Sequence, residues 1–136
     1  MQKWTHLVFA ALLFSVFNFV LHMPLYFSIF AFIGAVIPDL DIGFMHRKLL
    51  HNVWALGIMI LAGLKFGLMD NTVAIAFGLG FISHLVADSL THMGVMPLWP
   101  ITKPKIHGPV KTGGLGEFLV LAALLFILFN IGRFFS

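Results

Sequence analysis

The chain has 136 residues, of which 60% are hydrophobic and 10% charged, with a mean hydropathy of +1.04. A single domain of this length has too little interior to hide that much apolar surface from water, so the composition excludes an ordinary soluble domain and points to the bilayer as solvent. The net charge of +3 therefore bears on membrane topology before nucleic acid, and the absence of Cys excludes disulfides, thiolate zinc sites and a Cys nucleophile.

The expected fold is all-α: one integral membrane domain, 1–136, with about five transmembrane helices at about 4–23, 25–37, 53–69, 72–90 and 115–135. The first contains the apolar run Leu7–Leu21, with Trp4 as an interfacial anchor. Its Lys3 and apolar stretch suit a signal peptide, but no A-x-A-like cleavage site follows, so it is read as a retained span. Pro24 separates it from the second, Leu25–Ile37, which Pro38-Asp39 closes. At about 1.5 Å per residue the runs cover about 20–32 Å against a hydrocarbon core of about 30 Å, and the second is short. It must thin the bilayer or end within the protein. Gly78 and Gly80 in the fourth run suit close helix approach, and Asp70-Asn71 reads as a turn and helix cap.

Five crossings put the N-terminus, 38–52 and 91–114 on one face. That face holds Lys3, Arg47, Lys48, Lys103, Lys105 and Lys111, against Lys65 and Arg133 on the other. The positive-inside rule makes it cytoplasmic, with the C-terminus outside. Alternating span directions bring His6, Asp39, Asp41, His46, His51, His84 and Asp88 to this same face, while His22 and Asp70 fall on the other.

Ionisable groups in hydrocarbon cost several kcal/mol, so they pair, bind ions or line water. His84 and Asp88 stand at i and i+4, on one helix face, a spacing suited to two ligands of one metal. His6, His51 and His84 with Asp39, Asp41 and Asp88 make six candidate ligands for divalent metal, generous for one tetrahedral ion and reasonable for a two-metal site. A structural hydrogen bond between helices is the alternative for His84 and Asp88, and a simple turn for Asp39. His22 reads as interfacial, and His92, one further turn along the His84/Asp88 stripe, as a ligand or an interfacial group.

The loop 102–111 groups Lys103, Lys105, His107 and Lys111. It is either an ordinary positive-inside loop attracted to anionic headgroups or a phosphate clamp above the metal. Glu117, at the start of the fifth span on the same side, is a candidate general base or supporting partner. P-loop, G-x-S-x-G, H-E-x-x-H and G-x-G-x-x-G patterns are absent from the sequence, which argues against P-loop nucleotide hydrolysis, serine hydrolysis and zincin chemistry.

Thr5-His6, Pro38-Asp39-Leu40-Asp41, His46-Arg47 with His51, Ser83-His84-x-x-x-Asp88-x-x-Thr91, and Gly94 followed by Pro97-Leu98-Trp99-Pro100 occur in that order along the chain. In this arrangement the sequence resembles the YdjM-like family of membrane-bound metal-dependent hydrolases over nearly its whole length. It departs from the family pattern at Lys48-Leu49-Leu50, where Gly and Thr are common, and at His92, where Pro is common. The ligand order is also similar to that of zinc-dependent phospholipases C.

The resemblance implies a metal-dependent hydrolase, while the six-ligand count suited to a two-metal site and the phospholipase-like order point to a phosphoester, such as a lipid or lipid headgroup, with one or two ions of zinc, and manganese or iron as alternatives. In this reading His46 orients a ligand or carries a proton, and Arg47, Lys103, Lys105 and Lys111 neutralise phosphate charge. Membrane lipids and a phosphoester are the expected partners, and nucleic acid is not expected. A divalent-metal or proton transporter, or a non-catalytic protein with a structural metal, would use the same ligands.

Overall fold

A computed structural model describes residues 1–40 and 49–134; the side chains of Gly132 and Phe134 fall outside the description. The described residues contain five α-helices and no strand: α1 (Lys3–Leu21), α2 (Ser28–Val36), α3 (Val53–Lys65), α4 (Asn71–Ser89) and α5 (Leu115–Phe134). Short 3₁₀ turns at Leu25–Phe27 and Ile37–Leu40 flank α2. The expected all-α class is correct. Among the described residues two helices, Lys3–Leu21 and Asn71–Ser89, are long and apolar enough to cross a membrane by length and composition, and the apolar segments Leu25–Leu40, Val53–Lys65 and Leu115–Ile131 are shorter.

Local chemistry sets the ends. Asp70 caps α4 by accepting from the Val73 N–H at 2.8 Å, as the sequence suggests, and Asn52 caps α3 by accepting from Ala55 at 2.9 Å. The third span is expected to run to 69 but its helix stops at Lys65. Gly67 takes φ +68°, and the Leu68 and Met69 amides turn back onto the Gly63 carbonyl at 2.8 and 3.1 Å. A left-handed glycine reversing the chain onto the last turn closes a helix in this way.

α4 is the central helix. It packs mainly against α2, then α1 and α3, while α5 leans on α1. One apolar cluster, of Phe14, Met23, Ala31, Ala76 and Leu79, joins α1, α2 and α4. A second, of Leu56, Phe77, Phe81, Leu85 and Val95, joins α3, α4 and the loop beyond α4. The α2–α4 approach is backbone to backbone: a Cβ on Gly80 would collide with the Ala31 carbonyl, and one on Gly34 with that of Phe77. Gly80 therefore does what was expected of it. Gly78 does not, since a Cβ there would meet only the Ile60 side chain, at 3.6 Å. Large side chains such as Val20, Leu68 and Phe129 point outward and cover the fold in apolar surface.

The long loop after α4 is folded back under the helix end. Val95 and Ile106 exchange amide hydrogen bonds of 2.8 and 2.9 Å, and the Gly108 and Val110 amides bond the carbonyls of Thr91 and Leu90, each at 3.0 Å. The Val53 amide bonds the Pro97 carbonyl at 2.9 Å, which ties the loop to the start of α3.

Candidate metal centre

Five expected ligands converge at one end of the fold: His6 from the first turns of α1, Asp39 from the turn after α2, His51 from just before α3, and His84 and Asp88 from the last turns of α4. All except half-buried Asp39 are buried, and His84 and Asp88 are completely so. Asp41, His46 and Arg47 lie outside the described residues.

His84 organises the cluster. Its Nδ1 stands 2.7 Å from the Ala35 carbonyl. A carbonyl only accepts, so Nδ1 carries the proton and Nε2 presents its lone pair inward. Ala35 lies in the last turn of α2, where helix carbonyls are left open to a side-chain donor. This is the usual way of orienting a metal-binding imidazole. The His6 ring stacks on His84 with centroids 3.9 Å apart and planes at 13°, while His51 meets it edge-on at 5.1 Å.

The inward-facing atoms form a nearly equilateral triangle. His84 Nε2 lies 3.3 Å from His51 Nε2, and each lies 3.5 Å from Asp88 Oδ2. A tetrahedral ion bound at about 2.0–2.1 Å holds its donors about 3.3–3.4 Å apart, so the triangle has the size of one face of such a site. Two imidazoles and a carboxylate are also a donor set borderline metals favour. The residues therefore fit a divalent ion.

A second group, His6, Asp39 and His84, keeps its ligand atoms within 4.8 Å of one another. With Nδ1 committed to Ala35, His84 has one donor atom for both groups, so it serves one ion at a time. Asp88 links the halves: its Oδ1 lies 3.4 Å from His6 Nε2 and 2.8 Å from the Met1 amine. The Nδ1 atoms of His6 and His51 are buried with no hydrogen-bond partner among the described residues. The Met1 amine contact carries no signal in the side-chain pattern, because a main-chain terminus makes it.

The remaining candidates are placed differently. Lys103, Lys105 and Lys111 are exposed on the loop, and their side chains make no hydrogen bond or ion pair among the described residues. His92 is exposed and outside both ligand groups. The Glu117 carboxylate accepts from the Gln2 amide, the Thr5 hydroxyl at 2.8 Å and the Gly113 amide at 2.6 Å. It thereby caps its own helix and clasps the start of α1, with Thr5 next to His6. Thr91, another residue of the sequence pattern, bonds the Asp88 carbonyl through its hydroxyl at 2.8 Å and shapes the turn at the end of α4.

No curated protein and no solved structure matches the chain. The outward apolar surface and a buried ionisable cluster at one end of the helices are nevertheless what a membrane protein of the resembled kind requires. The family model of the YdjM inner membrane protein matches residues 1–135, and the chain belongs to that family.

Proposed function

We propose that this protein is a membrane-embedded, metal-dependent hydrolase that cleaves a phosphoester, with a lipid or lipid headgroup as substrate. The observation that carries the reading is the buried triangle of His51 Nε2, His84 Nε2 and Asp88 Oδ2, with edges of 3.3–3.5 Å. When bound, a divalent ion, zinc by ligand type, supplies Lewis acidity toward a phosphoryl oxygen and acidifies water. Asp88 would balance the ion's charge, the Ala35 carbonyl fixes His84 with its Nε2 free to bind, and His6 and Asp39 would supply further ligands. Arg47 and Lys103, Lys105 and Lys111 neutralise phosphate charge, while His46 orients a ligand or carries a proton. Glu117 acts by positioning α1 rather than as the base, because its carboxylate oxygens are already engaged.

The purified protein should carry tightly bound zinc, manganese or iron, and should hydrolyse a member of a phospholipid and phosphomonoester panel in a chelator-sensitive way. Bound metal with no turnover of any phosphoester, in wild type as in His84→Ala, would leave a structural metal instead. Absence of metal would remove the reading altogether.

We also propose five crossings, with the N-terminus and the metal centre cytoplasmic and the C-terminus outside. The support is the convergence of His6, Asp39, His51, His84 and Asp88, which alternating span directions require. Since the chain has no Cys, single cysteines can report sidedness. Lys105→Cys should label only from the cytoplasm and Leu68→Cys only from outside; the opposite pattern would reverse the topology.

A further inference from the structure

The residues flanking the His51 ligand in sequence line a second feature. A cavity of about 320 Å³ opens between the start of α3 and the loop after α4, lined by Leu50, Asn52, Trp54, Ala55, Ile58 and Trp99 among others. Leu50 and Asn52 are the two chain neighbours of His51, so the cavity is continuous in sequence with a corner of the ligand triangle. The Asn52 side chain is engaged by Leu49 and Ala55, which leaves the walls essentially apolar. Trp54 and Ile58 are respectively 46% and 68% exposed, so the cavity opens outward through apolar side chains. Tryptophans favour the headgroup level of a bilayer, where acyl chains begin. The volume is at the low end of the roughly 300–1,000 Å³ of small-ligand sites.

We propose that this cavity binds the headgroup-proximal part of one acyl chain of a membrane lipid, so that the phosphoester at the other end of that segment reaches the metal centre. The assignment rests on the hydrolase reading and goes beyond it in placing the acyl chain of the substrate in a particular cavity. The Val53–Pro97 amide bond fixes the loop wall against α3, so the chain enters a preformed slot.

The test compares a two-carbon and a twelve-carbon alkyl phosphoester on the purified protein. Wild type should favour the long chain by about 100-fold in kcat/KM, for a few buried methylenes at about 0.8 kcal/mol each. Ala55→Phe, which fills the slot, should remove most of that preference and leave the short-chain rate and metal content unchanged. Ala55→Leu should do so in part and guards against misfolding. An unchanged preference in both variants overturns the proposal.

Should wild type cleave neither ester, the hydrolase reading fails, and binding alone decides the cavity. In a Trp4→Phe background only Trp54 and Trp99 fluoresce, both of them lining residues. A brominated dodecyl phosphocholine should quench them, and Ala55→Phe should weaken the quenching; equal quenching in the two proteins overturns the cavity as a chain site.

Discussion

Replacing His84 by Ala is expected to lower metal affinity by more than about 100-fold, the upper range for merely removing a ligand's hydrogen-bond partner. His84 is the common member of both ligand groups, and its Nε2 forms two edges of the triangle. Asp88→Asn should lose as much, because it removes a carboxylate shared by His6, His51 and His84. His92→Ala should change affinity by less than the error of the measurement, since His92 is exposed and outside the cluster. Equilibrium dialysis with metal quantification on detergent-purified protein distinguishes these cases. His84→Ala also leaves the Ala35 carbonyl without its partner, a buried loss of about 1–3 kcal/mol. Helical content measured by circular dichroism must therefore accompany the metal measurement. A folded His84→Ala protein that retains wild-type affinity would show that the triangle is a hydrogen-bonded cluster and no metal site.

How much of this centre could be read from the sequence follows from what determines each part. Reading the apolar runs as alternating spans predicts His6, Asp39, His51, His84 and Asp88 at one end, and the structure brings these five together. The i, i+4 spacing placed His84 and Asp88 together because a helix fixes that geometry. What lay beyond reach was set by backbone rather than by side-chain type. The Ala35 carbonyl becomes the anchor of His84 because it lies in the last turn of α2 and because α2 and α4 run almost in contact. Glu117 is expected from the sequence as a general base or supporting partner, but its distance from α1 is decided by the tertiary packing of α5, and its hydrogen bonds clasp the start of α1. The end of α3 at Lys65 rather than 69 has the same origin. Apolar Leu68 and Met69 continue the hydropathy, while Gly67 breaks the backbone.

The α2–α4 contact sets the second large expectation. On Gly80 a Cβ would overlap the Ala31 carbonyl and its neighbouring backbone atoms, and backbone cannot swing aside as a side chain does. Gly80→Ala must push the two helices apart, costing at least about 1–3 kcal/mol, the range for overpacked interiors. Four residues beyond Ala31, the same helix presents the Ala35 carbonyl to His84. The displacement therefore reaches the metal centre, and affinity should fall by about 10-fold or more even where the protein stays folded, as when a ligand's orienting partner is removed. Gly78→Ala is the matched control, two residues away on α4. Its Cβ would make only ordinary contact with the flexible end of Ile60. Losing a mid-helix glycine should then raise stability by up to about 1 kcal/mol. Thermal or denaturant unfolding in detergent, run beside metal titration, separates the two variants. Equal stability and equal affinity for both would mean that the helices do not approach as closely as Gly34 and Gly80 allow, and the orientation of His84 would need another source.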